Sequence, residues 1–124
     1  MEPIEILVVD DDLINRKLMS AMLKKQPFTA TIHEASNGQE AIEVLKSNER
    51  IGLVLLDLIM PVMDGITVLQ IMDADPRLKA IPVIVLTTDE TKKSEALNNG
   101  ANDFISKPIR ESDIIPKIKR LIDL

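Results

Sequence analysis

Three aspartates, Asp10, Asp11 and Asp12, follow directly on the apolar run Ile4 to Val9, and a fourth, Asp57, ends a second run, Leu53 to Leu56. Adjacent carboxylates repel one another, and an acid set against a buried strand is costly unless a cation neutralises it. A hard divalent ion such as Mg2+ answers that need, because it takes oxygen ligands, keeps several waters and is commonly held by one or two carboxylates plus a phosphate oxygen. Two other groups suit the same chemistry. Lys107, just before Pro108, offers a mobile ammonium, and Thr87 and Thr88, after Ile81 to Leu86, offer hydroxyls. A carboxylate can act as a nucleophile towards phosphorus, while an ammonium and a hydroxyl neutralise the phosphoryl oxygens. Phosphoryl transfer is mostly positioning and charge neutralisation of this kind. With Asp11 and Asp57 as ligands, the ion keeps open sites into which a phosphoryl oxygen can enter.

These side chains are far apart in sequence, so the elements between them must bring them together. Apolar runs of strand length recur at Ile4 to Val9, Leu53 to Leu56 and Ile81 to Leu86, with weaker candidates at Ala30 to Ala35 and Asn102 to Ser106. The strong runs are continuous rather than alternating, as expected of strands covered on both faces. Between them lie stripes of helical period: Leu13, Ile14, Leu18, Met22 and Leu23; Ile42 and Leu45; Ile66, Leu69 and Met72; and Ile114, Ile115, Ile118, Leu121 and Ile122. Turn-forming residues, Asn37-Gly38, Asp64-Gly65, Pro76, Asn99-Gly100 and Pro108, fall between these segments. The order is β-α five times over, which predicts an α/β fold: a mainly parallel, doubly wound sheet with helices on both faces. Ligands in such sheets sit beyond the carboxyl ends of the strands, where the winding reverses. Those ends carry Asp10 to Asp12, Asp57, Thr87 and Lys107.

The 124 residues suit a single domain, residues 1–124, with no internal repeat, low-complexity tract or linker. No apolar run approaches the roughly 20 residues that cross a bilayer, and the start has no basic region ahead of its apolar stretch. With no cysteine there is no disulfide framework, thiolate nucleophile or Cys-based zinc site, and a cytoplasmic location is the simplest reading. The net charge of −5 argues against nucleic acid, as does the absence of Trp and Tyr, which leaves Phe28 and Phe104 as the whole aromatic content.

Taken together, the acids after the first strand, the stretches LVLLDLIMPVMDG and PVIVLTT, and the ending GANDFISKP resemble the receiver domain of two-component response regulators, over essentially the whole chain from Ile4. The resemblance implies the five-stranded flavodoxin-like sheet with strand order 2-1-3-4-5. It also implies roles: Asp57 as phospho-acceptor, Asp11 as direct Mg2+ ligand (Mn2+ serving equally), Asp10 reaching the ion through water, and the backbone carbonyl of Ile59 as a further ligand. Thr87 resembles the switch hydroxyl, Phe104 its aromatic rotamer partner, and Lys107 the phosphate-pairing lysine, with Pro108 in a cis peptide bond. The donor implied is a histidine kinase or a histidine phosphotransfer protein, with acetyl phosphate as a small substitute. Transfer is self-catalysed rather than a turnover reaction, and a phosphorylation-dependent dimer belongs to the family's repertoire. The output is a downstream protein or a fused domain: no DNA-binding, cyclase or kinase segment follows Leu124, and Asp12 to Met19 resembles receivers attached to hybrid kinases.

Blander readings apply to several residues. Asp12 and Asp64 are read as helix N-caps. His33 reads as an ordinary surface residue, the methionines at 19, 22, 60, 63 and 72 as packing, and Arg16, Lys17, Lys24 and Lys25 as a solvated helix face, with docking of an acidic partner as the alternative. A rival function is a Mg2+-dependent haloacid-dehalogenase-like phosphatase, whose Asp-x-Asp pattern Asp10 and Asp12 satisfy but whose usual cap has no room here. A flavin binder is disfavoured because three carboxylates would repel its phosphate. The chain departs from the receiver pattern in a somewhat shorter segment between Thr87 and Gly100, in Phe104 where tyrosine is commoner, and in Ile59, which has no donor or acceptor for a hydrolytic water.

Overall fold

The structure, a computed structural model, describes residues 3–123; Met1, Glu2 and Leu124 of the expected domain lie outside the described residues. Strands and helices alternate as β1 (Ile4–Val9), α1 (Leu13–Lys24), β2 (Ala30–Ala35), α2 (Gly38–Ser47), β3 (Ile51–Asp57), α3 (Gly65–Asp73), one-turn α4 (Pro76–Lys79), β4 (Val83–Thr87), α5 (Lys93–Asn98), β5 (Asp103–Ser106) and α6 (Glu111–Leu121). A 3-10 turn, Glu90–Lys92, leads into α5. All neighbouring strands pair parallel in the order β2-β1-β3-β4-β5, so the doubly wound flavodoxin-like sheet expected from the sequence is what forms. The chain winds outward from β1 to β2, then returns across β1 to β3. That reversal opens a crevice at the carboxyl ends of β1 and β3.

Continuous apolar runs are explained by two cores that share the same strands. Leu7, Val9, Val54 and Leu56 face a core with Ala41, Ile42 and Leu45 of α2 and Val68, Leu69 and Met72 of α3. Their neighbours Ile6, Val8, Leu53 and Leu55 face the opposite core, with Met19 and Leu23 of α1 and Ile114, Ile115 and Ile118 of α6. Side chains alternate across a strand, so a strand covered on both faces is apolar at every position. Pro116 lies inside α6 on its exposed side, and three buried isoleucines carry the helix through it.

Three expectations need correction. The α1 stripe is only in part the buried face: of its members Leu23 is buried and Met22 half-buried, but Leu13, Ile14 and Leu18 are 55%, 69% and 64% exposed, and Met19 and Ser20, outside the stripe, are buried. Periodicity alone could not tell the sheet-facing side of α1 from a second apolar side turned to solvent. Pro76 does not lie between elements but opens α4, where a missing N–H does no harm, with Asp75 accepting from the Arg77 and Leu78 amides as N-cap. Val68, outside the stripe read for α3, is buried beside Leu69.

Ser20 is 8% exposed and its Oγ has no hydrogen-bond partner among the described residues. An unpaired buried hydroxyl costs about 1–3 kcal/mol and alanine is the better helix former, so Ser20→Ala should raise unfolding stability by roughly 1 kcal/mol. Urea unfolding followed by circular dichroism measures this, and a clear loss of stability would show that the hydroxyl is in fact paired.

Candidate functional site

Each acid at the crevice is placed by the element that precedes it. Asp10 follows β1, whose pairing with β2 ends as the Asp10 amide donates to the Ala35 carbonyl at 3.1 Å. Asp57 is the last residue of β3. Asp12 starts α1, its Oδ1 accepting from the Ile14 and Asn15 amides at 2.8 and 3.4 Å, so it is the N-cap expected. Asp64 likewise caps α3 through the Thr67 amide.

One carboxylate oxygen from each of Asp10, Asp11 and Asp57 lies within 4.8 Å of the other two. Asp10 and Asp57 are both 7% exposed, while Asp11 is open to solvent. The Lys107 ammonium reaches in from the loop after β5 and donates to Asp10 Oδ2 at 3.0 Å and Asp57 Oδ2 at 3.1 Å. The peptide bond between Lys107 and Pro108 is cis, as the resemblance implied. Asp57 Oδ1 accepts from the Ile59 amide at 3.2 Å, which brings the backbone of Ile59 to the site. The Asp10 carboxylate is oriented by the Asp12 amide at 2.9 Å and the Asn15 side-chain amide at 3.4 Å.

Burial pushes the Asp57 carboxyl above the usual aspartate range, against the Ile59 amide and the Lys107 ammonium, which both pull it down. Burial is also the largest effect on Lys107 and would lower its affinity for protons, but its contacts with Asp10 and Asp57 together outweigh it and leave the ammonium more firmly protonated than usual. The two shifts are compatible because burial disfavours the charged form of both groups: it prevails at Asp57, and at Lys107 it is outweighed by the two anionic partners acting together. The net result is an all-oxygen cup with three carboxylates and one ammonium, which still carries excess negative charge. Hard oxygen donors at these separations, one of them exposed, fit a divalent ion of the Mg2+ class.

Thr87 ends β4 one residue beyond Leu86, which pairs with Asp57, and it is fully buried, whereas Thr88 is exposed. Its hydroxyl accepts from the Asp89 amide at 3.2 Å, and its carbonyl accepts from the Lys107 amide at 2.8 Å, tying the ends of β4 and β5 together. Phe104 sits in β5 opposite Val85, half-buried against the core shared with α2 and α3. His33 is apart from the site. It lies in β2, and its Nε2 is 2.9 Å from Glu5 Oε1 and 3.1 Å from the Asn48 side-chain nitrogen, towards the opposite end of the strands.

Two features were not visible in the sequence. The loop from Leu58 to Asp64 contains a three-residue turn at Val62, where the Met63 amide donates to the Pro61 carbonyl at 2.8 Å and φ is 69°. A β-branched residue at positive φ is strained. The loop is held regardless, because the Gly38 amide donates to the Met63 carbonyl and the Gly65 amide to the Leu58 carbonyl. Side chains at either glycine would collide with this loop; a Cβ on Gly65 would lie 2.7 Å from the Asp57 carbonyl oxygen and the Leu58 Cα. The second feature is Arg16. Rather than a solvated member of a basic face, its side chain is only 13% exposed and is bound within the site wall. Lys17, Lys24 and Lys25 are exposed, as expected.

Comparison with known proteins agrees with this arrangement. The sequence profile described as "Response regulator receiver domain" matches residues 6–119. The "Transcriptional regulatory protein SrrA" of Staphylococcus aureus (strain NCTC 8325 / PS 47) is 40% identical over 120 residues, which cover 95% of this chain and 47% of that protein. The chain thus spans about half the length of the curated relatives it matches. Among solved structures, the signal receiver domain of a signal transduction histidine kinase from Syntrophus aciditrophicus superposes with a TM-score of 0.86 at 32% identity, over 96% of this chain and 89% of that one. The receiver domain of a Saccharomyces cerevisiae response regulator, crystallised with a histidine phosphotransfer signaling protein, gives 0.85 at 26% identity over 96% and 88%. The match is to receivers, not to the phosphatases that the spacing of Asp10 and Asp12 also satisfies. By sequence and by fold, this chain belongs to the response regulator receiver domain family of two-component signalling.

Proposed function

We propose that Asp57 is the phospho-acceptor of this receiver and that it takes its phosphoryl group from the phosphohistidine of a kinase or phosphotransfer protein. The observation that carries the reading is the bridging of Asp10 and Asp57 by the Lys107 ammonium inside a three-carboxylate cup. An Asp57 carboxylate oxygen attacks phosphorus, the bond from phosphorus to the donor imidazole nitrogen breaks, and the imidazole departs with the electron pair and takes up a proton. The product is an acyl phosphate on Asp57. Asp10, Asp11, Asp57 and the carbonyl of Ile59 would hold Mg2+ or Mn2+, which when bound withdraws charge from the phosphoryl oxygens. Lys107 follows the transferred group as a mobile point charge.

The Thr87 hydroxyl, which accepts from the Asp89 amide before transfer, turns to donate to a phosphoryl oxygen, and Phe104 moves with it. The free energy for the switch is the better fit of phosphate to one of two existing conformers. Each chain takes one phosphoryl group and does not turn over. Five of the six exposed large apolar residues among those described, Leu13, Ile14 and Leu18 on α1 with Ile59 and Val62 on the loop after β3, belong to the two segments that follow the site's aspartates, and they offer the donor an apolar collar. This reading places the chain in the cytoplasm, where such donors are charged from ATP, and has it report to a downstream protein or to an output domain in the same polypeptide. Among the described residues no helix is long and apolar enough to cross a membrane.

Intact mass after incubation with acetyl phosphate and Mg2+ tests the proposal. A single phosphoryl adduct, stable in acid and lost in base, is expected. Absence of any adduct, or continuing hydrolysis of p-nitrophenyl phosphate, would overturn it. The lifetime of that adduct is expected to be long, because Ile59 is 58% exposed at the mouth of the site and cannot orient an attacking water. Ile59→Asn should therefore shorten it several-fold, and equal decay rates in the two proteins would dispose of this point.

A further inference from the structure

Arg16 donates from Nη1 to the main-chain carbonyl of Asp10 at 2.7 Å and from Nε to Glu34 Oε1 at 2.9 Å. The other Glu34 oxygen accepts from Lys17 at 2.7 Å, so the glutamate, on the edge strand β2, is held from two sides. Here β1 stops pairing. The Asp10 amide is the last to reach β2, and the Asp10 carbonyl turns away towards α1, where the guanidinium supplies its donor. Fixing that carbonyl fixes the peptide plane between Asp10 and Asp11, and with it the direction in which the exposed Asp11 carboxylate leaves the main chain. Without such a hold, three successive like charges favour opening of the turn.

We infer that Arg16, locked by Glu34, is a positioning residue that sets the Asp10–Asp11 turn for cation binding, so that β2 acts on a site it does not itself enter. The inference rests on the proposed reading of the acid cup as a divalent-cation site. It depends on the fork geometry of arginine, which serves a carbonyl and a carboxylate at once from a rigid plane. A lysine keeps the charge but cannot hold both acceptors in fixed directions.

The test is the Mg2+ dissociation constant of the full chain by calorimetry, with thermal unfolding of the metal-free proteins measured alongside, for the parent, Arg16→Lys and Glu34→Gln. Groups that orient metal ligands typically change affinity by about ten- to a hundredfold, and weakening in that range is expected for Arg16→Lys, with a smaller loss for Glu34→Gln. Combining the two substitutions should cost less than the sum of their separate effects, since they break one unit. If both variants bind Mg2+ as tightly as the parent and differ only in melting temperature, the pair is a structural staple and the inference is wrong. If the parent itself binds no Mg2+, it is instead the reading of the cup that fails. Because Arg16→Lys keeps the charge and Glu34→Gln the shape, at least one variant remains folded and readable.

Discussion

Asp57→Asn should abolish phosphoryl uptake from acetyl phosphate and leave the metal-free fold at least as stable as the parent near neutral pH. The first effect is chemical: a carboxamide oxygen is too poor a nucleophile to form the acyl phosphate. The second follows from burial. Asp57 binds its proton more tightly in the folded chain than an exposed aspartate does, chiefly through desolvation. A group with a raised folded-state pKa contributes stability that is fully present below its unfolded pKa and is lost as pH rises through the folded value. At pH 7 the carboxylate therefore weighs against folding, and a neutral amide of the same shape does not. The stability difference between the two proteins should close as the pH is lowered and Asp57 itself becomes neutral. Intact mass at neutral pH and thermal unfolding across about pH 3 to 8, a range that includes the ordinary aspartate pKa of about 3.9, read these effects. An adduct on Asp57→Asn, or a variant much less stable than the parent at pH 7, would contradict the account.

Lys107→Ala should separate two properties that are easily taken for one: Mg2+ should bind more tightly, and phosphoryl uptake at saturating Mg2+ should become far slower. The ammonium sits 3.0 and 3.1 Å from two of the three carboxylates that a cation would use. A dication and an ammonium about 5 Å apart repel by about 7 kcal/mol at an effective dielectric constant of 20, before ionic screening. The lysine relieves most of this by swinging outward. A residue of about 1.4 kcal/mol, roughly a tenfold gain in affinity, is expected once it is gone. The transition state loses a charge-matched donor to the phosphoryl oxygens, and removal of one such donor typically slows a reaction by about a hundredfold or more. Calorimetry gives the first number and the time course of the mass shift the second. Weaker Mg2+ binding together with undiminished uptake would show that the lysine organises the cup and takes no part in transfer.

The fold and most of the site could be read in the sequence because the same constraint acts on both. A parallel sheet buried on two faces must be apolar along its strands, so the first charged or hydroxylated residue after each run marks a strand end, and the ends of β1, β3 and β4 are where Asp10, Asp57 and Thr87 stand. Even the weaker β2 and β5 segments were placed within a residue, since turn residues bound them. What escaped is tertiary in origin. The phase of α1 depends on which side meets the sheet, and Leu18 and Met19 are equally apolar. The burial of Arg16 depends on Glu34 lying beside it in a neighbouring strand, 18 positions on, and no local pattern encodes that. The strained turn at Val62 exists because the amides of Gly38, from the start of α2, and of Gly65, at the start of α3, hold its flanks, whereas valine alone argues against such a conformation.

The central claim is that side chains from separate strand ends make one cup in which a single aspartate becomes an acyl phosphate. Borohydride reduction of the protein after acetyl phosphate treatment, followed by peptide mapping, tests it most directly, because hydride converts an aspartyl phosphate to homoserine at the residue that carried it. The account predicts homoserine at position 57 and nowhere else, and its disappearance when Mg2+ is chelated before treatment. Homoserine at position 10 or 11, or a phosphoryl adduct that leaves position 57 as aspartate, would contradict it.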